Sequence, residues 1–122
     1  MINFPRFFKS FKYAAEGIHY AFKNDQNLLA HVAVAVLVMN VSVALKVTPF
    51  EMAILGLTIM MVISAEMINS AIEKMVDLIT KEHRMEAKIA KDVAAGMVLL
   101  TALAAAVIGT LILLPYILHY FH

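Results

Sequence analysis

A chain of 122 residues that is 62% hydrophobic, with a mean hydropathy of +0.82, carries more apolar side chains than one soluble domain can hide, since such domains are about half apolar. A formal net charge of +1 gives no basic bias of the kind nucleic-acid binders show, so no nucleic-acid partner is expected. The absence of cysteine excludes disulfides, thiolate catalysis and cysteine metal sites, and leaves carboxylate, amide and imidazole as the available ligands.

The opening stretch MINFPRFFKSFKY has no uninterrupted apolar run ahead of a small-residue cleavage site and does not read as a removable signal. Phe4, Phe7, Phe8, Phe11, Ala15, Ile18 and Phe22 recur at helical spacing, with Arg6, Lys9, Lys12, Tyr13, Glu16, Tyr20 and Lys23 on the opposite side. The pattern predicts an amphipathic helix over 4–23, lying in the membrane interface with its lysines near anionic headgroups. Residues 28–45 are nearly all apolar, broken only by His31, Asn40 and Ser42, and their number is close to the ~20 that cross a bilayer core. Lys46, Thr48 and Pro49 predict a turn.

A second span is expected over 50–79, because EMINSAIEKMVDLIT continues the helical pattern beyond the apolar run without a Pro or Gly break. The charged segment KEHRMEAKIAKD then leads to a third span over 93–120, with Gly96 and Gly109 inside it and Pro115 near its end. Nine of the ten Lys and Arg residues fall before the first span or toward the second loop, and only Lys46 falls on the other side. The positive-inside rule therefore places the N-terminus and second loop in the cytoplasm and the C-terminus outside. The expected architecture is an all-α integral membrane protein, one domain over 1–122, with a surface helix and three transmembrane helices.

Glu66, Asn69, Glu73 and Asp77 stand at i, i+3, i+7 and i+11, and at ~100° per residue they share one narrow arc of the second span. At ~1.5 Å per residue, Glu66 lies ~24 Å along the helix from Phe50, inside a ~30 Å hydrocarbon core and toward its cytoplasmic side. A carboxylate at that depth costs a few kcal/mol unless it is paired, protonated, metal-bound or wet. Carboxylates with an amide oxygen form a hard donor set that suits Mg²⁺, and Mg²⁺ commonly accompanies phosphate. Glu66 has apolar neighbours in Ile63 and Met67, which suits a general base. Lys91 and Asp92, where the charged loop meets the third span, can reach phosphate oxygens together with Lys88 and Arg6. His31 and Asn27 point to the same end of the molecule, but a lone intramembrane histidine reads as an interhelical hydrogen-bond partner and is not assigned as a ligand.

With glycines only at 17, 56, 96 and 109, no Walker-type or kinase glycine loop can form. The segment EMINSAIEKMVD, residues 66–77, instead resembles the signature of the prokaryotic diacylglycerol and undecaprenol kinase family: Glu, two residues, Asn, three residues, Glu, three residues, Asp. Arg6, Tyr13, Gly17, the AKIAKDVAAGMVLL segment and the three-span layout extend the resemblance over most of the chain. The resemblance implies a bacterial inner-membrane homotrimer with sites between neighbouring subunits at the cytoplasmic interface, moving the γ-phosphate of MgATP onto a lipid alcohol. It implies Glu66 as general base, Asp25 and Glu73 as Mg²⁺ ligands, and Arg6, Tyr13, Asn69, Glu73, Asp77, Lys91 and Asp92 around the nucleotide. The family more often has Glu where this chain has Asp25, and the shorter side chain shifts the metal's position or calls for a bridging water. The run NDQNLLAH resembles the Gram-positive branch, which implies undecaprenol as acceptor, with diacylglycerol as the alternative. A small cation-binding or structural membrane protein is the competing reading. The cation pathway lacks polar residues on the third span beyond Thr101 and Thr110, and the structural reading leaves the one-sided acidic stripe without a cause.

Overall fold

The computed structural model describes residues 1–122, which form four helices: α1 (Phe4–Asn24), α2 (Gln26–Ala44), α3 (Pro49–Ile79) and α4 (Met85–Phe121). Three of these, α2 to α4, are long and apolar enough to cross a membrane. The central helix is α3, packed most extensively against α4 and also against α2, while α1 joins α2. Only 12 of the 122 residues are buried, so a single chain has almost no core. Val34, Leu37, Leu57, Met60, Leu100 and Leu111 all point outward. Apolar surface on this scale needs an apolar surrounding, which lipid or neighbouring chains supply.

Asp25 is the one residue between α1 and α2. Its backbone N–H donates to the Ala21 carbonyl and closes α1, and its carboxylate accepts from the Leu28 N–H at 3.1 Å and caps α2. The capped start lets the polar Gln26 and Asn27 enter the helix, where hydropathy alone leaves a gap.

At the far end of α2, Lys46 adopts the left-handed conformation, φ 56°. The Val47 N–H donates to Ser42 O and the Lys46 N–H to Val43 O, each at 3.1 Å, the paired bonds of a Schellman close that ordinarily uses glycine. A side chain in that conformation costs about 1 kcal/mol. Lys46→Gly is therefore expected to stabilise the fold by up to about 1 kcal/mol, read as a higher thermal midpoint in detergent. A lower midpoint would mean that the lysine side chain contributes more than the strain it bears.

Thr48 opens α3 as a capping box, its hydroxyl accepting from the Glu51 N–H at 3.3 Å and donating to Glu51 Oε1 at 2.7 Å. Two polar contacts set the register of the antiparallel α3/α4 pair. The Tyr116 hydroxyl donates to Glu51 Oε1 at 2.6 Å near one end, and Lys91 Nζ donates to Asp77 Oδ1 at 2.6 Å near the other. The two contacts are 26 residues apart on α3 and 25 apart on α4, so both sides match at about 38 Å.

The third membrane helix begins at Met85, eight residues before the apolar run at Val93, so most of the charged segment 81–92 is helix rather than connection. MEAKIAKD is rich in helix formers, and Lys88 donates to Asp92 one turn on at 2.6 Å. Hydropathy locates the bilayer and is blind to a helix that leaves it. Pro115 lies inside α4, which continues to Phe121. With 19 residues, about 28 Å long, α2 matches the hydrocarbon core, whereas α3 and α4 at 31 and 37 residues outrun it on the side where α1 lies.

Candidate active site

The site begins where α2 meets α3. The Ser70 hydroxyl donates to Asp25 Oδ2, tying the first residue ahead of α2 to the side of α3. This contact marks the α1-side boundary of the core on α3, because α2 itself is only as long as the core is thick. Glu66 then sits one turn, about 6 Å, inside that boundary, while Glu73 and Asp77 lie about 4.5 Å and 10 Å outside it.

In a chain with so few buried residues, Glu66 is 2% exposed and Asn69 4%. The Asn69 amide nitrogen donates to Glu66 Oε1 and to Glu73 Oε1, both at 3.4 Å, and so links the acids along the stripe. His31 Nε2 on α2 stands 3.9 Å from Glu66 Oε2. Asn69 Oδ1 is buried and accepts no hydrogen bond. A buried acceptor left open costs about 1–3 kcal/mol, and such atoms concentrate where a ligand supplies the missing donor or a cation.

Asp25 works against its surroundings. Burial pushes its carboxyl up, but hydrogen bonds from the Ser70 hydroxyl and the Leu28 and Asn27 backbone N–H groups outweigh it and hold the group below the ordinary carboxylate range. It is therefore an anion at neutral pH, and it lines a cavity of about 500 Å³ together with Glu73, Asn24, Asn27 and Lys74. Two carboxylates on one open cavity, without sulfur, fit Mg²⁺, which typically takes one or two carboxylates and completes its shell with water and substrate phosphate. Asn69, with its unpaired oxygen, is one turn from Glu73 on α3 but does not line that cavity. The protein does not gather three acidic or imidazole ligands into a closed cage, so a cation held here would complete its shell with water or phosphate oxygens.

A second cluster lies on the α3/α4 side. Asp77, Lys88, Lys91 and Asp92, with His83 and Arg84 from the connecting turn, line a cavity of about 420 Å³. The cations there are already engaged, Lys91 with Asp77 and Lys88 with Asp92. Contact with Asp77 also raises the Lys91 ammonium's hold on its proton through the charge-assisted bond itself. The predicted residues thus fall into two groups within one chain: Asp25, Glu66, Asn69 and Glu73 in one, Asp77, Lys91 and Asp92 in the other. Arg6 and Tyr13 belong to neither; both are exposed on α1, and neither side chain bonds to another candidate residue.

Sequence reasoning passed over Ser70 and undervalued His31. Ser70 is i+4 from Glu66, about 40° around the helix and so beside the acidic arc, about 20° beyond Asp77, a signal that was present in the spacing. The proximity of His31 to Glu66 joins two helices and has no counterpart in local spacing. The Glu51–Tyr116 contact, 65 residues apart in the chain, was equally invisible.

The chain is 42% identical over 110 residues to the undecaprenol kinase of Bacillus subtilis (strain 168), covering 90% of this chain and 89% of that protein. It is 41% identical over 115 residues to the diacylglycerol kinase of Synechocystis, covering 93% of this chain. It spans only 66% of the Synechocystis protein's length. The sequence pattern described as prokaryotic diacylglycerol kinase matches residues 12–113, which include Asp25, the whole acidic stripe, Lys91 and Asp92. On that match and on relatives above 40% identity, the chain belongs to the prokaryotic diacylglycerol kinase family.

Proposed function

We propose that the protein is a MgATP-dependent lipid kinase whose acceptor is undecaprenol, with diacylglycerol as the alternative. The observation that carries the kinase reading is Glu66: an acid 2% exposed, one turn inside the core boundary, hydrogen-bonded to an asparagine whose own oxygen awaits a partner. A lipid hydroxyl reaches that depth from the bilayer, while a nucleotide approaches from water along Glu73 and Asp77. Glu66 takes the hydroxyl proton as the lipid oxygen bonds to the γ-phosphorus and the electron pair of the breaking bond leaves with ADP.

Asp25 and Glu73 would hold Mg²⁺, which when bound neutralises phosphate oxygens. Asn69, Lys91, Asp92 and Asp77 position the nucleotide, the lysine exchanging its bond to Asp77 for a phosphate oxygen. Arg6 and Tyr13, exposed and remote within one chain, fit a homotrimer in which α1 of one subunit completes the site of the next. The bare apolar faces of α2 to α4 fit the same assembly in a bilayer. In this reading α1 lies in the membrane interface on the cytoplasmic side, and the C-terminus is external, in keeping with the placement of the lysines and arginines.

Undecaprenol is favoured over diacylglycerol because the undecaprenol kinase of Bacillus subtilis is matched over 89% of its length and the Synechocystis diacylglycerol kinase over 66%, at nearly equal identity. The test is transfer of label from γ-labelled ATP, with Mg²⁺, into lipid by the purified protein in bilayers offered undecaprenol or diacylglycerol separately. Preferential labelling of undecaprenol is expected. Preference for diacylglycerol would keep the kinase and overturn the acceptor, and label in neither, from a folded protein that binds MgATP, would overturn both.

A further inference from the structure

Outside the groups already given roles, one titratable side chain touches the reacting end of the site. His31 projects from α2 with Nε2 3.9 Å from Glu66 Oε2, on the opposite carboxylate oxygen from the one Asn69 holds. It also lines a cavity of about 200 Å³ between α2, α3 and α4, whose walls are apolar side chains of α2 and α3 and, from α4, Ala102, Ala105, Ala106 and Gly109. Thr58, the other polar residue there, spends its hydroxyl on the Ile54 carbonyl at 2.7 Å. The acidic group within 4 Å of the imidazole is Glu66 from α3, while Asp25, at the head of the same helix as His31, lines the separate cavity shared with Glu73. Neither α4 nor α1 places an ionisable group on this cavity.

We propose that His31 is a positioning residue that holds the Glu66 carboxyl through Nε2 once Glu66 has taken the proton of the lipid hydroxyl, and that it then receives that proton. The proposal rests on the lipid-kinase reading of Glu66. At 3.9 Å the pair is not yet a hydrogen bond, but a small rotation of either side chain closes it, and catalytic contacts commonly tighten only when substrate is bound. Glu66 is almost fully buried and no lysine or arginine contacts it, so a proton left on it has the imidazole 3.9 Å away as a basic outlet. Transfer from Oε2 to Nε2 restores the carboxylate and leaves an imidazolium, which loses its proton to water; the net products are phospholipid, ADP and one proton.

The test compares His31→Gln, which can still bond between helices, with His31→Ala, which leaves space for free imidazole, in the labelled-ATP assay. Both are expected to lower kcat about 10- to 100-fold with little change in KM for ATP, and added imidazole is expected to restore His31→Ala and not His31→Gln. Near wild-type kcat in His31→Gln, or no restoration of a folded His31→Ala, would overturn the proposal and leave a plain interhelical contact. If His31→Ala does not fold, His31→Gln decides alone by its kcat. Glu66→Gln in the same assay keeps the two ideas apart: activity retained there sinks the general base itself, whereas loss there with normal His31 variants sinks only the partnership.

Discussion

Glu66→Gln should abolish lipid phosphorylation, lowering kcat by about 10²- to 10⁴-fold, the range a positioned general base supplies, while MgATP still binds. The same change should leave the protein as stable as the wild type or more so. Gln keeps an oxygen for the Asn69 amide, and it removes an ionisable group from a position 2% exposed inside the hydrocarbon core, where a charge costs a few kcal/mol. Loss of activity with a maintained or raised melting temperature in detergent is thus the signature of a residue kept for chemistry. Turnover within a few-fold of wild type would remove Glu66 from the mechanism, and collapse of the fold would show that its hydrogen bonds outweigh its burial.

Asp25 predicts a separable pair of effects, because one side chain caps α2, accepts from Ser70 and faces the Glu73 cavity. Asp25→Asn keeps an oxygen for the cap and turns its amide NH₂ toward Ser70, whose hydroxyl then accepts instead of donating, but it loses the charge. It should raise the Mg²⁺ concentration for half-maximal rate at least about tenfold, the lower bound seen when even an outer-shell partner is lost, with little change in stability at neutral pH. Asp25→Ala should show the same Mg²⁺ effect and in addition lose about 1 kcal/mol of stability with its cap. The pH dependence follows in sign. The folded carboxyl titrates below its ordinary value, so its contribution is present above the ordinary carboxylate range and disappears as pH falls through the folded value. The Asn variant should lack that component and lose less stability on acidification than the wild type. Equal Mg²⁺ dependence in wild type and Asp25→Asn would leave Asp25 as a helix cap alone.

The helices were largely legible because membrane spans announce themselves by length and apolar content. The misreading of 81–92 as a connection shows the limit of that signal, since MEAKIAKD is helical for reasons of propensity and charge pairing that hydropathy does not register. Asp25 illustrates the opposite case. An aspartate ahead of an apolar run reads as a helix cap, yet nothing local says that its second oxygen is held by Ser70, 45 residues away.

The sequence by itself determined the membrane class, the one-sided placement of Glu66, Asn69, Glu73 and Asp77, and the family pattern, because each depends on periodicity and spacing within a single helix. Only the tertiary structure decided how deep each acid lies relative to α2, that His31 stands beside Glu66, that Lys91 is spent on Asp77, and that Arg6 and Tyr13 stay apart from both clusters. Those relations are set by the axial register of one helix against another. Register follows from contacts between residues far apart in the chain, such as Asp25 with Ser70 and Glu51 with Tyr116, and no periodicity within one helix encodes them.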